Sequence, residues 1–105
     1  MVGPNRGGIF WLEMEVEGRH PVCVLTRDEA IPSLDNIVVA TVSKHIWGLR
    51  SEVLLGPEDG MSRECAISLD NLRTVPKALL VEPITKLGPA RIDELCRALA
   101  AASGC

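Results

Sequence analysis

The stretch LEMEVEGRHPVCVLT, residues 12–26, holds two patterns that meet at one glycine. Up to Glu17 it alternates, with Leu12, Met14 and Val16 on one side and Glu13, Glu15 and Glu17 on the other. Successive side chains of a strand point to opposite faces, so this predicts a half-buried strand with a wet, acidic face. From Pro21 to Thr26 almost nothing is polar, which predicts a second strand covered on both sides. Only a short connection through Gly18 separates the two, and a hairpin is the economical outcome. The fold is β-led from its first third.

The remaining segments extend that start. RDEAIPSLDN reads as a connection broken by Pro32, and NIVVATVS (residues 36–43) as a β-branched strand. KHIWGLR (44–50) interrupts with charge and Gly48 and predicts a loop, SEVLL (51–55) resumes the sheet, and GPEDG (56–60) is a turn cluster. CAISLDNLRTV (65–75) predicts a strand interrupted near Asp70 and Asn71. PKALLVEPITKL (76–87) reads as a short helical turn and then an edge strand, because Pro83 lacks the donor a central strand needs. Gly88 and Pro89 open a helix that Gly104 ends, with Ile92, Leu95, Cys96 and Leu99 as its apolar stripe. The class is α+β with β dominant: five to six short strands in a small barrel or curled sheet, with a C-terminal helix over an open face. At 105 residues the chain is expected to form one domain.

Composition narrows the function classes. No apolar span is long enough for a transmembrane helix, and MVGPNRGG lacks the apolar middle of a secretory signal, so a cytoplasmic address is expected. A formal net charge of −3 argues against a protein that coats nucleic acid without sequence preference, yet Lys44, His45 and Arg50 gather around one loop. The cysteines, at 23, 65, 96 and 105, have neither zinc-site nor redox-pair spacing, and no metal or other cofactor is expected. Cys23 and Cys96 fall at apolar positions and read as packing groups.

In order and wording the chain resembles the MazF/PemK (Kid) family, the toxin ribonucleases of type II toxin–antitoxin modules. RGGIFWLEM is similar to the family's opening strand and RHPVCVLTRD to its Arg-Pro-Val strand. NIVVATVSKHIWGLRSEVLL resembles its third strand, variable loop and fourth strand. CAISLDNLRTVPKALL resembles its Ile-Arg-Thr-Val-x-Lys segment, and KLGPARIDELCRALA its final helix. The resemblance implies a CcdB/Kid-type fold, an SH3-like barrel of about six strands with a C-terminal helix. It also implies a homodimer that cuts single-stranded RNA without a metal, leaving 2′,3′-cyclic phosphate and 5′-hydroxyl ends. The implied partner is a MazE-type antitoxin whose acidic disordered tail blocks the groove. A CcdB-like toxin, binding gyrase without catalysis, is the alternative on the same fold.

RNA cleavage by its own 2′-hydroxyl needs a base for that proton, an acid for the leaving 5′ oxygen and donors for the phosphorane charge. The family places an Arg just before the Pro-Val of its second strand and a Ser or Thr at the end of its third. The hydroxyl position falls on Ser43, a match, and the arginine position on His20, a departure. Histidine as a residue type titrates near ~6.5 and suits proton transfer, but grips phosphate less well than arginine. Arg19 is adjacent, though neighbours on a strand face opposite ways. Catalytic use of His20, Arg19 or both is therefore expected beside Ser43. Lys44, His45 and Arg50 are candidate phosphate contacts and Trp47 a base-stacking platform, unless that tryptophan packs on the barrel or on a partner. Asn71 either marks a break in its strand or reads base edges. Trp11 belongs to the core or to the groove wall.

Overall fold

The computed structural model describes residues 3–105; Met1 and Val2, the first two residues of the stretch MVGPNRGG, lie outside the described residues. One antiparallel sheet contains β1 (Gly8–Met14), β2 (Gly18–Val24), β3 (Asn36–Ser43), β4 (Glu52–Leu55), β5 (Cys65–Pro76) and β6 (Leu80–Lys86). Their spatial order is β4-β5-β3-β2-β1-β6, followed in the chain by α1 (Pro89–Ser103). This is the β-dominant α+β architecture that the patterning predicts.

The opening hairpin forms, but shifted. β1 starts four residues before Leu12, and residues 15–17 form the turn, so Val16 is 96% exposed rather than in the half-buried row. Register sets this limit: Met14 lies opposite Gly18, whose φ of +78° is a left-handed value that favours glycine. Two contacts close the turn. The His20 Nε2–H donates to the Glu17 carbonyl at 2.8 Å, and Arg73 holds the Glu17 carboxylate at 3.3 Å.

Both faces of the sheet are covered, as expected for β2. Phe10, Leu12, Val22, Val24, Ile37 and Val39 pack on one side with Ile31 and Leu80. Ile9, Cys23, Ala40 and Val42 pack on the other with Ile67, Leu69, Leu95 and Ala98. Helix α1 lies over β4 and β5 on that second side, where burying a side chain such as Leu95 stabilises by about 2 kcal/mol. Pro83 lies on β6, an edge strand, where a missing N–H is harmless.

Two details correct the expectations drawn from sequence. The break near Asp70 is a bulge within one long strand: Ala40 faces Leu72 but Thr41 faces Ser68, so residues 69–71 have no partner on β3. The Ser51 hydroxyl donates to the Asp70 carboxylate and steadies that bulge. Cys96 is exposed, not packed; its thiol takes a guanidinium N–H of Arg6 at 2.9 Å, and Ala98 takes the buried place. Cys65 is buried, and burial pushes its thiol up; the Cys23 thiol is pushed up to about 12 by the same cause, partly offset by Arg6.

The start of α1 is tied to the turn at Pro57–Asp59. Arg91 Nε donates to Asp59 Oδ1 at 3.0 Å and its Nη1 to Glu94 at 2.8 Å. The hydrogen bonds from Arg91 hold the Asp59 carboxyl below the usual carboxylate range, against a smaller opposing effect of burial. Asp59 and Glu94 in turn push the guanidinium up.

Candidate active site

Antiparallel pairing brings the end of β3 beside the start of β5, with Ser43 opposite Ala66. A cleft of about 590 Å³ opens at that junction. Ser43, Lys44 and His45 line one wall, Met61, Ser62 and Arg63 another, and Trp11, Pro21 and Ile84 form an apolar floor. Its lining includes Lys44, His45 and Arg63 and no carboxylate, although the chain has 14 acidic side chains against 11 lysines and arginines.

Each wall has a local cause. Ser43 ends β3, and its Oγ accepts the His45 N–H at 3.0 Å, which fixes the chain's exit from the strand and leaves the hydroxyl hydrogen free to donate. Gly60 has φ +91°, and a Cβ there would come within 2.5 Å of Thr85 Oγ1, so glycine is required by both backbone and space. The Thr85 hydroxyl donates to the Asp59 carbonyl at 2.9 Å and clamps the same turn to β6.

The other candidate residues lie elsewhere. Arg19 lies on β2 with its guanidinium 5.7 Å from the Trp11 ring centroid, and is paired with Glu13 at 3.3 Å and Glu82 at 3.4 Å. It borders the apolar floor but does not line the cleft. His20 alternates to the side of Val22 and Val24, its ring held by Glu17, and is not brought together with Ser43. Trp47 is 77% exposed, on a loop whose backbone N–H groups at 47 and 49 donate to the Glu52 carboxylate; it too lies outside the cleft. Arg50 lines a separate open groove with Arg97 against α1. Asn71 sits in the β5 bulge and donates to Ser68 Oγ at 3.1 Å.

Arg63 escapes a reading of sequence alone, because nothing in GMSRE marks it. Its signal is topological: once β5 pairs with β3, residues just before Cys65 must pass the mouth beside Ser43. Chemically the cleft offers a hydroxyl donor, an imidazole, two permanent cations and the Trp11 indole in its floor. These are the components needed for transesterification at a phosphodiester.

Comparison with known proteins gives a consistent picture. Residues 5–102 match the model of the PemK-like, MazF-like toxin of type II toxin–antitoxin systems. The chain is 43% identical over 103 residues to the probable endoribonuclease MazF5 of Mycobacterium tuberculosis, covering 97% of this chain and 94% of that protein. It superposes on the M. tuberculosis toxin MazF-mt6 with a TM-score of 0.85 at 28% identity, over 92% of this chain and 96% of that one. A mycobacterial endoribonuclease solved with its cognate antitoxin matches with a TM-score of 0.86 at 22% identity, over 97% and 96% of the two chains, a likeness of fold.

Proposed function

This chain belongs to the PemK-like, MazF-like toxin family of type II toxin–antitoxin systems, and we propose that it cuts single-stranded RNA at the cleft that holds Ser43. It is an endoribonuclease toxin. The observation that carries the cleft's role is its lining: cations and a hydroxyl, without a carboxylate, in a chain of net negative charge. A polyanion is repelled by most of such a surface and attracted here.

In the proposed step the 2′ oxygen attacks phosphorus as its proton passes to a base, and the P–O5′ bond breaks as an acid protonates the 5′ oxygen. The products are a 2′,3′-cyclic phosphate and a 5′-hydroxyl. Ser43 donates its hydroxyl hydrogen to a phosphate oxygen, and His45 is the cleft's imidazole for proton transfer. Arg19, above Trp11, contacts the flanking nucleotide, while His20 supports the turn behind it. Trp11 offers a face for a base, with Trp47, Arg50 and Asn71 left to contacts farther along the strand. Because side chains supply the positive charge, cleavage is metal-independent. Residues 1–105 act as one toxin domain in a homodimer, and an acidic antitoxin segment occupies the cleft when the toxin is silent.

Purified protein incubated with single-stranded RNA in EDTA should produce fragments with cyclic phosphate and 5′-hydroxyl ends. A strict requirement for added magnesium would overturn the mechanism. Gyrase poisoning without any RNA cleavage would favour a CcdB-like toxin instead.

A further inference from the structure

We propose that Arg63 is the side chain that grips the scissile phosphate, the role that the family resemblance puts just before Pro21; this rests on the ribonuclease reading above. A phosphorane needs donors fixed where its charge grows. Arg63 lines the same cleft as Ser43, whereas Arg19 and His20 do not.

Availability of charge sets four other arginines apart from Arg63, and Arg6, Arg50 and Arg97, likewise without an ion-pair partner among the described residues, do not line this cleft. Arg19 is held by two glutamates, Arg27 lies 3.7 Å from Glu29, Arg73 is held by Glu17, and Arg91 by Asp59 and Glu94. Each would have to leave a carboxylate to take a phosphate. Among the described residues Arg63 has no ion-pair partner, and no carboxylate lines the cleft to compete for it. Lys44 is also present, but an ammonium is a point charge. A guanidinium is a planar fork that meets two phosphate oxygens at once.

The backbone that carries Arg63 is held in place. Gly60, three residues earlier, is pressed against Thr85, whose hydroxyl bonds the Asp59 carbonyl, and the Asp59 carboxylate is held by Arg91. A donor on an anchored turn needs little rearrangement as charge develops. Arg63 donates N–H groups to the non-bridging oxygens and keeps its protons throughout the step.

The test compares Arg63→Ala, Arg63→Lys, Arg19→Ala and Ser43→Ala. Each is assayed on an RNA oligonucleotide spanning a cleavage site mapped with the wild-type protein, and for binding on its 2′-deoxy analogue. Arg63→Ala should lower kcat/KM by roughly 10²–10³-fold, the usual effect of removing one donor to a developing charge, with Arg19→Ala losing less. Arg63→Lys should recover part of the loss, and added guanidinium should partly rescue Arg63→Ala but not Ser43→Ala. The melting temperature should stay at the wild-type value, since no partner is lost. If Arg63→Ala cleaves normally while Ser43→Ala is dead, the inference fails and the ribonuclease reading stands. Loss of activity with a lowered melting temperature and no rescue also overturns it. If Ser43→Ala and Arg63→Ala both cleave normally, or wild type cuts no RNA, the cleft reading falls together with the inference.

Discussion

The His20 ring closes the turn that precedes it, while the ring of His45 stands in the cleft. That difference makes the two imidazoles separable by experiment. His45→Ala should lower the cleavage rate by roughly 10²–10⁴-fold, and should remove a bend in the pH–rate profile. His20→Ala should keep both the bend and most of the rate, with some loss of stability from the opened turn. A profile that flattens only in His20→Ala would return the proton transfer to the residue before Pro21. The sequence singles out His20 for catalysis and His45 only as a phosphate contact. It does not show which one its own backbone consumes, because the Glu17 carbonyl becomes a partner only after the hairpin register is set. Arg63 is hidden for the converse reason: an unremarkable loop residue gains its setting from a strand pairing 20 residues away, Ser43 with Ala66 at the start of β5.

At the scale of elements, local chemistry decides what survives from sequence to structure. Gly88, Pro89 and Gly104 bound α1 through cap geometry, and Pro83 consigns β6 to an edge; both are legible because they depend on one or two neighbouring residues. The place of the break near Asp70 and Asn71 is legible, but its form as a bulge and the outward turn of Cys96 depend on distant partners, Ser51 and Arg6, and are not. The tie between α1 and the turn at Pro57–Asp59 belongs to this second group. Its Asp59 carboxylate, only 11% exposed, titrates below its ordinary value of 3.8 because Arg91 binds the ionised form. A depressed folded-state value means the tie contributes fully above the unfolded-state value and is lost as pH falls through the folded one. Stability should therefore decline as the solution is taken from about pH 5 to below the ordinary aspartate range near ~3.9. Asp59→Asn should cost about 2 kcal/mol at pH 7 and show a shallower acid decline. Urea titrations of both proteins at pH 7 and pH 3 measure this, and parallel losses in the two would remove Asp59 from the account. Because the same turn leads to Arg63, the variant should also cleave more slowly at temperatures where it remains folded.

Across the whole molecule, the contrast between a net charge of −3 and a cleft without carboxylates makes RNA binding an electrostatic count. Counterion release from a single strand gives a slope of about −0.7 in log K against log salt for each phosphate neutralised. Lys44 and Arg63 are the two permanent cations of one cleft, so a lone protomer that neutralises phosphates through the cleft alone predicts a slope of about −1.4. A groove continued across a two-fold partner doubles that to about −2.8, since symmetry presents the same pair twice. Each further phosphate met by Arg19 or Arg50 adds about −0.7. Binding of the 2′-deoxy oligonucleotide, followed from about 50 to 300 mM salt, therefore reports on the cleft and on the assembly together. Light scattering on the same samples supplies the oligomeric state independently. A dimer with the steeper slope, reduced by about 1.4 in Lys44→Ala because both copies change, supports one continuous groove. A dimer with the shallow slope means that each cleft engages RNA by itself. Binding indifferent to salt would mean that the cations at residues 44 and 63 do not touch phosphate at all, and the charge argument for the cleft would have to be abandoned.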